Sequence, residues 1–196
     1  MACALHTRAP VLKRHARGFT LIELMIVVVI VGILSALAIV GYRRLVTSSH
    51  VSEATNMVQG IRVAQEAYHS ETQQYANISQ SLTSWYPQSA PVASLQTGWG
   101  GACGAACQGG MDWSMLPLHV DGPVIFGYAT IAGPAGTGPI PATISVNGAV
   151  ITFPATPTTD WFVTAASCDL DGQGPPNTTV YAMPWTNQVL VDMEGY

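Results

Sequence analysis

The chain has 196 residues and a formal net charge of −4, yet only 9% of its residues are charged, against roughly a quarter in an average globular domain. All seven Lys and Arg residues lie within residues 8–62, whereas residues 63–196 carry nine Asp and Glu residues and no Lys or Arg. A surface without cations cannot neutralise phosphates. We therefore expect no nucleic-acid binding by the C-terminal two thirds of the chain.

A basic start is followed by a long apolar segment. Residues 1–18 contain four Lys and Arg residues and no acid, and the 19 residues from 24 to 42 carry no charge. At about 1.5 Å per residue, a helix of that length crosses the hydrocarbon core of a bilayer. The positive-inside rule predicts a single pass with the N-terminus in the cytoplasm and the remainder of the chain outside.

The junction between the basic and apolar segments has the sequence RGFTLIELM over residues 17–25. It closely resembles the processing motif of the type IV prepilin family, and the resemblance extends over about residues 14–45. The resemblance implies that a prepilin peptidase cuts between Gly18 and Phe19 and that the new amine of Phe19 is N-methylated. Residues 1–18 would then be a leader peptide.

Glu23 is an acid placed just inside the apolar segment. A carboxylate there costs a few kcal/mol unless it is paired. Cleavage would turn the peptide nitrogen of Phe19 into a cationic amine one helical turn away, and such a pair matters in a low dielectric. We therefore predict that Glu23 acts in assembly by meeting the amine of a neighbouring subunit, or its own. The alternative is a carboxylate that snorkels to the membrane interface.

Two other interpretations of the apolar segment remain open. A plain membrane anchor explains the hydrophobicity but not Glu23. A secretory signal peptide would have its apolar region over 24–34 and an A-x-A cleavage site at 36–38. Cleavage after Ala38 would release a soluble secreted binding protein that starts near Ile39.

The helical pattern continues beyond the apolar segment. An apolar stripe at helical spacing predicts one helix from residue 19 to about 70, with an apolar half (19–44) and an amphipathic half (45–70) that packs on a sheet. The stripe consists of Val51, Ala54, Val58, Ile61 and Tyr68. Pilins often have a proline at the position of Val40, which precedes Gly41 here, so a kink at this point is left open.

Residues 71–196 are predicted to form a globular head. Its first part, 72–122, is a loop region rich in Gly and Pro, and its tryptophans are expected to pack on the head rather than to form a ligand platform. Antiparallel strands follow within 124–193 and include a hairpin at Asn147-Gly148. The predicted strands are Val124–Ile131, Thr143–Val146, Ala149–Phe153, Trp161–Ala166, Thr179–Met183 and Gln188–Val191. Strands that follow a helix without alternation predict an α+β fold, in agreement with the pilin fold.

Three cysteines would remain after removal of the leader: Cys103, Cys107 and Cys168. An exported protein with three cysteines is expected to form one disulfide. The entropic cost of closing a loop grows with its length, which favours a bond between Cys103 and Cys107. Pairing of Cys168 with either of them is the alternative.

Asp169 and Asp171 stand at alternate positions and are followed by Gly172. This spacing resembles the opening of a calcium-binding loop, although the later acid of an EF-hand is absent. An Asx turn explains the same residues without a metal. No other cofactor is expected. Glu66 and His69 are one helical turn apart, but we interpret them as part of a solvated face, and because no catalytic motif occurs we predict that the chain is not an enzyme.

The resemblance implies a structural subunit of a type IV pilus that serves motility or adhesion. Its partners would be copies of itself and other pilins, the prepilin peptidase, the inner-membrane assembly platform and, before assembly, the lipid bilayer. The subunit would move from the inner membrane into an extracellular filament. A pseudopilin of a type II secretion system, which would end in a periplasmic pseudopilus, is the closest alternative.

Overall fold

A computed structural model describes residues 18–139, 141–174 and 177–193. Within these residues, the regular elements are one helix, six strands and two short 3-10 turns at Gly104–Ala106 and Trp113–Met115. The elements are α1 (Leu21–Thr72), β1 (Gly127–Gly133), β2 (Thr143–Val146), β3 (Ala149–Thr152), β4 (Trp161–Cys168), β5 (Thr178–Met183) and β6 (Thr186–Met193). The chain divides into two compact units, the first ending at Arg44 and the second running from Leu45 to Tyr196.

The first unit contains the apolar part of α1. Its large apolar side chains are exposed on every face of the helix. The helix continues through Gly32 and Gly41, although each glycine costs about 1 kcal/mol relative to alanine. The helix begins at Leu21 rather than at Phe19 as predicted, because Thr20 forms its N-terminal cap.

The second unit contains an antiparallel sheet with strand order β1-β4-β5-β6. Strands β2 and β3 form a separate hairpin. Its turn residues Asn147 and Gly148 have φ values of 49° and 75°, the left-handed values that a tight two-residue turn requires at both positions. The predicted α+β fold and the predicted hairpin are both confirmed.

The predicted start of the first strand was wrong. Strand β1 begins at Gly127 rather than at Val124, because Val124 exchanges two backbone hydrogen bonds of 2.9 Å with Thr97 of the preceding loop. Strand β4 extends two residues beyond the predicted end at Ala166, since it is hydrogen-bonded to β1 on one side and to β5 on the other.

The amphipathic half of α1 packs on one face of the sheet. Ala54, Val58 and Ile61 are fully buried there, in a cluster that includes Phe126 and Val180. This arrangement confirms the apolar stripe predicted from the sequence. Removing these side chains from water supplies about 1.5–3 kcal/mol for each large one.

The other face of the sheet has a core of its own. Ile144 and Val146 of the β2–β3 hairpin form a cluster with Trp161 and Val163 of β4. Every residue of β4 is buried as a result. Burial on both faces explains why β4 lacks the alternating pattern of a half-exposed strand.

The loop region is attached to the sheet rather than projecting from it. Tyr86 exchanges backbone hydrogen bonds of 2.9 and 2.7 Å with Tyr128 of β1. The rings of Tyr86, Trp99 and Trp113 lie 5.0 to 5.9 Å apart, and Trp113 is only 2% exposed. Trp85 packs against the cluster on the other face of the sheet. The tryptophans are thus packing residues, as predicted.

Candidate functional site: the N-terminal processing and assembly segment

The predicted cleavage junction lies directly before helix α1. Gly18, Phe19 and Thr20 have no regular secondary structure, and the Phe19 side chain is 92% exposed. A peptidase needs an accessible chain outside regular secondary structure, and this junction provides both. The predicted leader extends to Gly18, but residues 1–17 lie outside the described residues.

Thr20 and Glu23 form a reciprocal N-terminal cap of α1. The backbone N–H and the hydroxyl of Thr20 both donate to Oε2 of Glu23, at 2.8 and 2.7 Å. The backbone N–H of Glu23 donates in return to the Thr20 hydroxyl oxygen at 3.3 Å. This is the capping box, in which two backbone donors of the first turn are satisfied by side chains.

The capping box changes the interpretation of Glu23. The sequence predicts a carboxylate that is unpaired until Phe19 gains a charge, but Thr20 already provides hydrogen bonds at the start of the same helix. The signal was present in the sequence as T-x-x-E before an apolar run and was missed. Both hydrogen bonds end on Oε2, so a cationic donor can approach Oε1 without breaking the cap.

The helix that follows is exposed and apolar on all sides. Large apolar side chains between Leu21 and Tyr42 are 51 to 76% exposed. This part of α1 is long and apolar enough to cross a membrane, with a mean hydropathy of 3.0 in its most apolar window. A helix that is apolar all round must be covered by lipid or by other apolar helices.

The cysteines of the second unit adopt the predicted pairing. Cys103 and Cys107 form a disulfide, with their Cα atoms 5.6 Å apart. Cys168 lies at the end of β4 as a buried free thiol. The disulfide closes the short 3-10 turn between its cysteines and leaves Cys168 in the core.

The two aspartates after β4 form a hydrogen-bonded turn. Oδ1 of Asp169 accepts from the N–H of Gly172 at 2.8 Å, and Oδ2 accepts from Gly174 at 3.2 Å. Asp171 accepts from the N–H of Gln173 at 3.0 Å. Among the described residues, no group of three or more His, Cys, Asp or Glu side chains is arranged to hold a metal ion. The turn accounts for both aspartates without a cation.

Glu66 and His69 do not contact each other but share a neighbour. The Tyr75 hydroxyl donates to the Glu66 carboxylate at 3.2 Å, and the His69 ring stacks on Tyr75 with centroids 4.3 Å apart. His69 also lies 3.8 Å from the carboxylate of Asp160. Burial raises the pKa of Tyr75 to about 12, and the charge of Glu66 adds to the shift. These contacts attach the end of α1 to the head.

Comparison with known families identifies the N-terminal segment. Residues 13–39 match the model of the prokaryotic N-terminal methylation motif. This match includes the Gly18-Phe19 junction, Glu23 and most of the apolar segment. This part of the chain is therefore similar to the start of proteins that carry the N-terminal methylation motif.

Several curated relatives share this part of the chain. The chain is 48% identical over 60 residues to fimbrial protein EcpC of Eikenella corrodens, which covers 31% of the chain and 39% of the relative. It is 42% identical over 66 residues to the type IV major pilin protein PilA of Myxococcus xanthus, and this match covers 34% of the chain and 30% of the relative. It is 46% identical over 52 residues to the type IV major fimbrial protein FimA of Dichelobacter nodosus, and this match covers 26% of the chain and 32% of the relative.

The N-terminal segment of the chain is thus similar to that of type IV pilins and fimbrial proteins. The similarity spans less than two fifths of the length of each of these relatives. No solved structure matches the chain. The similarity is therefore confined to about a third of the chain.

Proposed function

We propose that the chain is a structural subunit of a type IV pilus. The carrying observation is an apolar helix exposed on every face that begins at a methylation motif. Such a surface is stable in a bilayer before assembly and among the helices of other subunits afterwards. The named relatives, which are pilin and fimbrial proteins, support the same conclusion.

The proposal includes a definite order of events. The basic leader holds the N-terminus in the cytoplasm, and a prepilin peptidase cuts between Gly18 and Phe19. Methylation of the Phe19 amine follows, and an inner-membrane platform then transfers the helix into an extracellular filament of this and other pilins. The exposed junction before α1, which lies outside regular secondary structure, supports cleavage at this position.

Glu23 is proposed to act in assembly. Its Oε2 is occupied by Thr20, so the α-amine of a neighbouring subunit would approach Oε1. The N-terminal end of a helix also favours the negative charge of this side chain. The cap would hold the carboxylate in a fixed rotamer and so reduce the entropic cost of forming the intersubunit pair.

Two of the three alternative interpretations, the pseudopilin and the secreted protein, have less support. A type II secretion pseudopilin would share the motif, but the relatives named above are pilin and fimbrial proteins. A signal peptidase cut after Ala38 would fall within α1, and the family match extends past that position to residue 39. Both observations favour a retained apolar helix in a pilus subunit.

Two measurements on the native host test the proposal. Intact-mass spectrometry of the extracted protein is expected to show loss of residues 1–18 and one added methyl group. Filaments sheared from the cell surface are expected to contain the same species. A mature start near Ile39 would contradict the pilin proposal, and a processed protein found only in a periplasmic secretion complex would favour the pseudopilin.

A further inference from the structure

A groove in the second unit runs between helix α1 and residues 118–124. It has a volume of about 360 Å³. Glu53 and Met57 of α1 form one wall, Leu118 belongs to the other, and Tyr128 of β1 lies beneath them. The groove thus combines an apolar lining with a carboxylate and a phenol.

Two polar groups in this groove have unused hydrogen-bonding capacity. Tyr128 is 0% exposed, and its hydroxyl has no hydrogen-bond partner within the described parts of the chain. The hydrogen bond described for the Glu53 carboxylate comes from the N–H of Ile125, at 3.3 Å to Oε1. A buried polar group without a partner costs about 1–3 kcal/mol. An occupant that donates several hydrogen bonds from an apolar stem would satisfy both groups.

The charge of the chain restricts which part of another copy can supply that donor. From residue 45 onward the sequence contains ten Asp and Glu residues but only one Lys or Arg, Arg62. Arg62 already donates to Asn187 at 3.0 Å. Beyond the predicted leader, the other arginines are Arg43 and Arg44. Arg44 is exposed.

We propose that the groove binds the Arg44 side chain of a second copy of this chain. The guanidinium would donate to the Glu53 carboxylate and to the Tyr128 hydroxyl, and its aliphatic stem would lie against Met57 and Leu118. Arginine suits such a site because it offers five donors in a fixed geometry and is less strongly hydrated than an ammonium group. The inference rests on the proposed function, since a filament is what brings a second copy to the groove.

Charge reversal tests the pair. Glu53→Arg and Arg44→Glu are each expected to lower the amount of sheared filament roughly tenfold, as loss of one partially buried charge pair predicts. The double variant is expected to return to within about twofold of wild type, because the pair is restored with opposite polarity. Glu71→Arg is the matched control, since it makes the same charge change at an exposed position of the same helix.

Cross-linking gives a second readout that does not depend on the charge of Glu53. Asn56 is exposed and lines the groove, so Asn56→Cys combined with Arg44→Cys is expected to give disulfide-linked multimers under oxidation. Glu71→Cys with Arg44→Cys is expected to give none. The native head cysteines do not interfere, because Cys103 and Cys107 are paired and Cys168 is buried.

The outcomes distinguish a failure of the proposed groove contact from a failure of the proposed pilus function. Normal filament yield for Glu53→Arg, or rescue of Arg44→Glu by Glu71→Arg, would overturn the proposed contact while leaving the pilus function intact. If the head of Glu53→Arg were protease-sensitive, its low filament yield would reflect misfolding. The cross-linking of the cysteine pairs would then test the contact. If the wild type formed no filaments, the pilus function would fail, and cross-linking in the membrane fraction would still decide whether two copies meet at the groove.

Discussion

Two polar side chains of α1 are satisfied in contrasting ways. Glu23 at the start of the helix is bound by Thr20, three residues earlier. Gln65, near its other end, is fully buried and bonds to residues far from it in the chain. Its Nε2 donates to the Ala76 carbonyl at 2.8 Å and to the Thr130 hydroxyl at 3.1 Å, and its Oε1 accepts from the Ala76 N–H at 2.9 Å. Gln65 therefore links helix, loop and sheet.

Gln65→Leu is expected to lower the free energy of unfolding by about 2–4 kcal/mol, because two buried backbone groups of Ala76 would lose their partners. The measurement is chemical denaturation of the full chain in detergent micelles, followed by tryptophan fluorescence. Gln74→Leu is the control, since Gln74 is exposed and a surface change of this kind stays within about 0.5 kcal/mol. Equal denaturation midpoints for the two variants would contradict the role assigned to Gln65.

The Cys168 thiol makes the free energy of unfolding depend on pH in the alkaline range. Burial raises the pKa of its thiol from 9.0 to about 12, and the charges of Asp169 and Glu53 contribute. Between these values the folded chain holds a proton that the unfolded chain has lost. The contribution of the thiol to the free energy of unfolding is therefore fully present below about pH 9. Above that pH the free energy of unfolding falls, by up to about 1.4 kcal/mol per pH unit.

Denaturation midpoints measured from about pH 8 to about pH 11 test this expectation. Cys168→Ala is expected to show a flatter decline above pH 9 than the wild type, whatever its stability at neutral pH. Part of the decline should remain above about pH 10, because the pKa values of Tyr75 and Tyr128 are also raised by burial. Identical pH profiles for the two proteins would show that the thiol is not the responsible group.

At the scale of elements, the close packing of the loop region and of β4 against β1 depends on two glycines of β1. A β-carbon at Gly127 would stand 2.6 Å from Cβ of Trp85, and one at Gly133 would stand 2.5 Å from Cζ2 of Trp161. Neither glycine has a positive φ, so the requirement is one of space. The loop at Gly127 and the Trp161 ring at Gly133 approach β1 more closely than a residue with a β-carbon would permit at either position.

Gly133→Ala is expected to destabilise the chain by about 1–3 kcal/mol, as overpacking of a core does. The Trp161 ring cannot easily move, since it is 3% exposed and its indole N–H donates to the carbonyl of Thr137. Gly98→Ala is the control, because a β-carbon there meets nothing within 4 Å and no positive φ is involved. Thermal melts of both variants provide the comparison, and equal melting temperatures would contradict the packing argument.

At the scale of the whole molecule, α1 has two different kinds of surface. Its first part is exposed and apolar on every face, whereas its second part buries one stripe against a sheet. The second unit, Leu45–Tyr196, contains a single Lys or Arg, Arg62. In the proposed filament, contacts between heads would therefore have few ion pairs available, and assembly would depend on apolar helix packing and on the few charges at either end of the apolar segment.

Substitutions at Glu23 separate its capping role from its proposed role in assembly. Glu23→Ala is expected to remain in the membrane with a protease-resistant head, yet to be poorly incorporated into filaments, because both the cap and the charge are lost. Glu23→Gln can keep the capping hydrogen bond but lacks the charge, and it is expected to fail to a similar degree if the amine of Phe19 is the partner. Glu23→Asp, with a shorter side chain, is expected to recover only part of the yield.

The measurement compares membrane and sheared-filament fractions of each variant in cells that lack the wild-type gene. Thr20→Ala is the matched control, since it removes the side-chain half of the cap and retains the charge. Normal filaments from Glu23→Gln would show that the cap, and not an intersubunit ion pair, is the function of this residue.

Several features could be predicted because a short stretch of sequence determines them. The helix follows from apolar spacing, the hairpin from Asn147-Gly148, and the disulfide from the short loop between Cys103 and Cys107. The prepilin-like start likewise lies within nine residues. The same local reasoning should have found the cap at Thr20, but the carboxylate was considered only as a charge.

By itself, the sequence predicted the prepilin-like start, the two kinds of helix surface and the antiparallel head. Only the tertiary structure decided that β4 is buried on both faces, that Gln65 joins three elements, and that Glu53 and Tyr128 share a groove. The reason is separation along the chain. Gln65 and Thr130 are 65 residues apart, and no periodicity within one element reports on a partner that only folding brings into contact.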